Sequence, residues 1–432
     1  MRRLRTIGIL LFLGTAARIL AADSKPAFTE FDLDRSRGML RLARDETVKY
    51  FYDPALVGSE FSARCDAADK ALGTARSNGE ALVLIAQPFL NIGDSHTRFL
   101  PPARKDRVQH HWKFHAVGDA VYVSEVDRHS DAEKKGLRVG DKLLAIDGMA
   151  PGRANRHLLQ YLLYGLAPRA GMRVIVQAPG QEPRQLDLLG EVRSGTALRD
   201  LRNSRDLYQL VEEDENEDAR RKSRLVELPG GILVWKLQLF DLEKIAKGLG
   251  KAASAKTVIL DLRGNTGGYV RAAEAVLNGF FADDFEAFTL HERKRSETTR
   301  VKGNGFKGLL LVLVDETSAS ASEIFARTVQ MRQRGILLGD RTAGALSTAQ
   351  VYSLSLGTAE RFTHFGMSIT LARVVMADGS IIEGKGVGPD YLILPTHEQL
   401  YQGHDPVLAK ALTIAGHKTT PEDAGKIFPP LN

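Results

Sequence analysis

The stretch VDETSASASEIF, residues 314–325, decides how this chain is read. It follows GLLLVLV at 308–314, a short apolar run of the kind that forms a fully buried strand. Small residues then alternate with Ser318, Ser320 and Ser322, and Ile324 and Phe325 open an apolar pattern of helical period. The segment is therefore a strand turning into a helix, with serines at the junction. Small residues crowded there expose a hydroxyl, so one of the three is a candidate nucleophile, and a nucleophilic serine needs a partner to take its proton.

Working upstream, ILVWKLQLF at 232–240 reads as a strand, LEKIAKGLGKAAS at 242–254 as a helix and TVILDL at 257–262 as a strand. A further helix runs through Ala272, Ala275 and Leu277. Strand alternating with helix predicts an α/β domain with a layered sheet over residues 226–432. Residues 191–225 are charged, with EEDENED at 212–218, and read as a solvated linker. Residues 113–190 differ: alternating apolar strands surround SDAEKKGLRVGDKLLAIDG at 130–148, and this stretch resembles a PDZ domain. The resemblance implies a docked peptide added as a strand, with Val121, Tyr122 and Val123 as the receiving strand. Residues 23–112 carry helical periodicity and few strand signals, so a small helical cap is expected.

The first 22 residues hold Arg2, Arg3 and Arg5, an apolar run from Ile7 to Leu13 and small residues at Ala21 and Ala22. That order is a secretory signal peptide, and the run is far short of the roughly 20 residues that span a bilayer. Export to a periplasm or the cell exterior is expected, with no stable membrane span after cleavage. Cys65 is the only cysteine among 432 residues, so there is no internal disulfide and no cysteine-based zinc site; no cofactor and no metal are expected. Net charge is +6 and the basic residues are dispersed, which argues against nucleic acid as a partner.

A second motif lies at 259–269, ILDLRGNTGGY. Asp261 ends a strand, and Gly267 and Gly268 would let backbone N–H groups approach a ligand atom, as an oxyanion hole requires. Alone, glycines after a strand are only a turn. Together, ILDLRGNTGG, ETSASASEI and the later EGKGVGPD at 383–390 resemble the serine peptidases of the C-terminal-processing and tricorn type. Cap, PDZ domain, α/β core and closing HDPVLAKAL helix also come in that family's order. The resemblance implies a core of the crotonase and Clp-protease type, Ser320 as nucleophile, and an oxyanion hole from Ala321 N–H with Gly267 or Gly268. Ser318 and Ser322 would cap or pack the helix start.

The base is the decisive question. The C-terminal-processing branch places a lysine in a GKGTVQ-like segment, which here is GALSTAQ at 344–350. The matching position is Ala345 or Leu346, and no lysine occurs between Lys307 and Lys385. Neither side chain accepts a proton. The tricorn branch uses a histidine preceded by serine, with a distant glutamate. LNIGDSHTRFLPP at 90–102 supplies Ser95 and His96, and SIIEGKGVGPDY at 380–391 supplies Glu383. The implied relay is Ser320, His96, Ser95, Glu383, with imidazole as a base suited to neutral pH. His96 is one of eleven histidines and is singled out by these neighbours. The expectation is an exported peptidase acting on peptides or unfolded proteins. The alternative is a non-catalytic peptide- or apolar-ligand-binding protein on the same scaffold, because fold alone does not fix function. Assembly as a homo-oligomer fits either reading.

Overall fold

A computed structural model describes residues 28–104, 106–194, 223–303, 305–358 and 361–428. The expected signal peptide and residues 195–222 of the charged segment lie outside them. Three helices come first: α1 (Glu30–Tyr50), α2 (Ser59–Leu72) and α3 (Asn78–Leu90). Thr29 starts α1 through a capping box with Asp32, and Ser77 starts α3 by accepting the Glu80 N–H. Short strands β1 (Arg98–Leu100) and β2 (Asp106–Gln109) follow within the segment expected to be helical.

The next unit is built from β3 (Trp112–Val117), β4 (Ala120–Val126), α4 (Asp131–Lys134), β5 (Lys142–Ile146), α5 (Arg156–Gln160), β6 (Gly171–Gln177) and β7 (Arg184–Leu189). Then β8 (Glu191–Ser194) returns to pair with β2. The core comprises β9 (Arg224–Leu228), β10 (Ile232–Lys236), α6 (Leu242–Ala252), β11 (Thr257–Asp261), α7 (Val270–Phe280), β12 (Phe285–Glu292) and β13 (Ser296–Val301). It continues through β14 (Leu309–Val314), α8 (Ala321–Met331), β15 (Ile336–Gly339), β16 (Ser347–Thr358), β17 (Arg361–Met376) and β18 (Tyr391–Leu392). Helices α9 (His397–Tyr401), α10 (Pro406–Ile414) and α11 (Pro421–Gly425) close the chain.

The main sheet has the order β18-β15-β14-β11-β10-β9, parallel except where β9 meets β10. Both faces are covered, which is why its strands read as continuous apolar runs. Alternation along each strand divides the residues between two layers. Leu233, Trp235, Val258, Leu260, Leu310 and Val312 pack with residues of α6, α7 and α8. Ile232, Val234, Ile259, Leu311 and Leu313 pack with Val407, Leu408 and Leu412 of α10. A second, antiparallel sheet carries β1-β17-β12-β13, with β16 also paired to β17. The three N-terminal helices lean on it: Leu40, Phe61, Ile85 and Phe89 share one core with Phe365, Met367 and Ile369 of β17. This contact carries residues 94–97 to the core.

The strand expected to receive a peptide needs correction. β4 lies between β3 and β5, so both of its hydrogen-bonding edges are paired. Val121 and Val123 are buried in the unit's own core, and Tyr122 pairs with Lys142. A strand can add only at an outer edge, which excludes β4; the outermost strands of this sheet are β3 and β7. The α/β core already meets the β3 edge. The Ala116 N–H donates to Glu316 Oε1 at 2.7 Å, Gln160 Nε2 donates to the Phe114 carbonyl at 3.1 Å, and the Gly118 N–H donates to Asp340 Oδ2 at 2.9 Å. Glu316 pairs with Arg156 at 2.8 Å, both side chains buried. Removing one member of a buried pair strands the other charge. Arg156→Ala is expected to cost about 3 kcal/mol, read as a lower thermal midpoint; an unchanged midpoint would refute the brace.

Candidate active site

Ser320 stands at the junction of β14 and α8 with φ 53° and ψ −115°. A non-glycine residue there costs on the order of 1–3 kcal/mol and persists only when its surroundings over-determine it. They do. The Ser320 N–H donates to the Ala345 carbonyl at 2.9 Å, and the Ala319 N–H donates to the Asn265 carbonyl at 3.0 Å. The flanking serines are committed elsewhere. Ser318 Oγ donates to the Leu262 carbonyl at 2.8 Å and Ser322 Oγ to the Asn265 carbonyl at 3.0 Å, both residues fully buried. Ser320 is half-buried, the one serine of the three that is not sealed in.

The loop after β11 is pinned from beneath. Arg263 bonds Asp261 and also Asp405, which caps α10. Asn265 Nδ2 donates to the Leu237 carbonyl, and Asn265 Oδ1 accepts the Gly267 N–H at 2.8 Å. The Gly267 N–H is therefore spent inside the loop. The Gly268 N–H has no partner among the described residues, and neither has the Ala321 N–H at the first turn of α8. A Cβ on Gly267 would meet the Ser320 Cβ at 2.7 Å and the Ala321 nitrogen at 3.2 Å, so the glycine loop lies against the serine. Of the two expected glycines, Gly268 is the one with a donor to give. Gly268 has φ 134°, and a Cβ there would sit 2.5 Å from the Phe240 carbonyl oxygen. Gly268→Ala must shift that amide, and a drop in kcat of about 10²-fold with little change in KM is expected. Unaltered kcat would exclude it as a donor to the reacting oxygen.

Residues 94–97 form a turn organised by Asp94, whose Oδ1 accepts the N–H groups of His96 and Thr97 at 3.1 and 2.7 Å. The same oxygen takes the Thr370 hydroxyl, and the Thr370 N–H donates to Thr97 Oγ1, tying the turn to β17. The Ser95 N–H donates to Glu383 Oε1 at 2.8 Å, and Ser95 Oγ donates to Glu383 Oε2 at 3.0 Å, across 288 residues of sequence. Ser95 Oγ also lies 2.7 Å from His96 Nδ1. Since the Ser95 proton goes to the carboxylate, its oxygen accepts from Nδ1–H, which leaves Nε2 with the free lone pair. Burial lowers the His96 pKa from its ordinary value, against a smaller upward pull from Asp94. Burial raises that of Glu383, against its bonds from Ser95 and Leu346.

Ser95, His96 and Glu383 are thus joined, whereas Ser320 and His96 share no hydrogen bond. The link from Ser320 to the relay runs through residues 345 and 346: the Ala345 carbonyl holds the Ser320 N–H, and the Leu346 N–H donates to Glu383 Oε2 at 2.7 Å. Those are the two positions that match the lysine of the C-terminal-processing branch by sequence. Leu346 is buried in the main core, and no lysine bonds Ser320 among the described residues. Asp94, Thr97 and Thr370 escaped the sequence reading. Only Asp two residues before His96, an Asx-turn spacing, was a local signal, and nothing local marked Thr370.

A layered α/β core, a strained serine opening a helix and a glycine loop beside it define the class: an α/β scaffold with a half-buried serine at a strand-to-helix junction. The core is more specifically placed, because residues 235–393 match the model of peptidase family S41. Among curated relatives, the chain is 24% identical over 343 residues to carboxyl-terminal-processing peptidase 1 of the Arabidopsis thaliana chloroplast. It is 27% identical over 330 residues to the tail-specific protease of Haemophilus influenzae. These alignments take in 75% and 71% of this chain but only 65% and 45% of those proteins, less than two thirds of either. Among solved structures, mature CPAF superposes with a TM-score of 0.61 at 13% identity, over 85% of this chain and 94% of that one. The photosystem II D1 C-terminal processing protease gives 0.50 at 18% identity, over 83% and 93%. At these identities the structures speak for the fold alone. Among the described residues, no helix is long and apolar enough to cross a membrane.

Proposed function

We propose that this protein is an exported serine peptidase that hydrolyses peptide bonds in peptides or unfolded proteins. Ser320 is its nucleophile and His96 its base. The observation that carries the reading is the continuous chain from His96 Nδ1 through Ser95 Oγ to Glu383, assembled from two segments remote in sequence. In this reading the Ser320 hydroxyl attacks the scissile carbonyl while His96 Nε2 takes its proton. The imidazolium donates through Nδ1–H to Ser95, whose own proton rests on Glu383, so the carboxylate stabilises the positive charge as it forms. The carbonyl oxygen becomes an anion facing the Ala321 and Gly268 N–H groups. Nε2 then returns the proton to the leaving amine, and water repeats the sequence on the acyl-enzyme.

The family match and the curated relatives, proteases by name, support hydrolysis of peptides. The apolar run after three arginines supports export. In the same reading the core is of the crotonase and Clp-protease type and residues 113–190 are a PDZ domain. That unit would take substrate at an outer strand of its sheet rather than along β4. Labelling with a fluorophosphonate probe tests the proposal. The native protein is expected to label covalently and Ser320→Ala to remain blank. A native protein that resists the probe and cleaves no peptide would leave a binding scaffold.

A further inference from the structure

We infer that Glu323 is a positioning residue: its buried carboxylate sets the nucleophile elbow and the strap at 342–346 against one another. The inference rests on Ser320 being the nucleophile. Glu323 lies in the first turn of α8 and is fully buried. Its Oε1 accepts the Thr342 hydroxyl at 2.6 Å and the Gly344 N–H at 2.7 Å. Its Oε2 accepts the Ala345 N–H at 2.9 Å and the Ser320 N–H at 3.2 Å. In a capping box, the third residue of the helix reaches back only to the N-cap N–H. Here one bond does that, and three reach a strap 19–22 residues further along.

No Lys, Arg or His forms an ion pair with Glu323 among the described residues; only Thr342, Gly344, Ala345 and Ser320 bond its carboxylate. Four neutral donors and the helix N-terminus meet the charge instead. Burial nonetheless pushes its carboxyl up to about 7, so the charged form depends on those donors. The strap has a second attachment. The Ala345 carbonyl holds the Ser320 N–H, and the adjacent Leu346 N–H holds Glu383. Letting go of residues 342–345 therefore loosens the strained serine and the acidic end of the relay together. Hydrogen-bond donors surround both carboxylate oxygens, so Glu323→Gln keeps the shape but turns an NH2 group toward two of them.

The test uses the full chain and compares native protein, Glu323→Gln and Thr342→Val. Fluorophosphonate labelling rate, kcat and KM on a chromogenic peptide, and thermal midpoint are measured. For Glu323→Gln, labelling and kcat are expected to fall about 10²-fold, with KM and midpoint close to native, as for a misplaced reacting group. Thr342→Val, which removes one of the four donors, is expected to show the same split at a smaller loss. Native labelling and kcat in Glu323→Gln would overturn the inference, and so would a loss that follows the midpoint or KM. If Glu323→Gln does not fold, Thr342→Val decides by the same split. A native protein that does not label brings down the proposed function, and this inference with it. A labelled native protein beside an indifferent Glu323→Gln brings down the inference alone.

Discussion

Ser320→Ala is expected to lower peptide turnover by roughly 10⁶-fold, the scale of loss when a serine–base unit loses its nucleophile. The fold should survive. The contacts that hold this residue at φ 53° come from its main chain, and alanine meets the same steric cost there as serine. The thermal midpoint of the mutant should match the native one. Ser318→Ala and Ser322→Ala should behave the other way. Each removes a buried hydroxyl bonded to a carbonyl of the 262–265 loop, a loss of about 1–3 kcal/mol in stability with labelling retained. Labelling that disappears in either flanking mutant but persists in Ser320→Ala would overturn the assignment.

His96→Ala is expected to cost on the order of 10³–10⁴ in turnover. Ser95→Ala and Glu383→Gln should cost less, because they orient and polarise the imidazole without touching substrate. The pH dependence has a definite sign. Only neutral imidazole accepts the serine proton, so the rate rises with pH through the His96 pKa. Burial lowers that pKa from its ordinary value, while Asp94 raises it and Arg98 lowers it further. The rise should therefore fall on the acid side of an ordinary histidine, with a plateau through neutrality. A lysine base would place the rise far higher. A near-native rate in His96→Ala, with the same pH profile, would remove His96 from the mechanism.

Much of this was legible in the sequence because the signals were local. The apolar runs at 232–240, 257–262 and 308–314, each followed by a helical period, announce an α/β core, since burial on both faces leaves no room for polar residues along a strand. The serines at a strand-to-helix junction needed no tertiary knowledge. Neither did the exclusion of lysine from 344–350, which depends only on what alanine and leucine can do chemically. Ser95, His96 and Glu383 came from a resemblance, and the hydrogen bonds among them span 288 residues that periodicity cannot bridge.

The sequence by itself determined the α/β core, the set of candidate serines and the lack of a lysine base at the expected place. Tertiary structure alone decided the rest. It left Ser320 the least enclosed of the three serines by burying Ser318 and Ser322 against the 262–265 carbonyls, and it separated the two glycines by giving the Gly267 N–H to Asn265. It excluded β4 as an edge for docking, because sheet order fixes which strands lie outermost while side-chain alternation reports only which face is buried. It also revealed Glu323, which in sequence is an ordinary first-turn acid. Its four donors converge only after the strap folds back over the helix, and a hydrogen bond of that kind leaves no periodic trace in the chain.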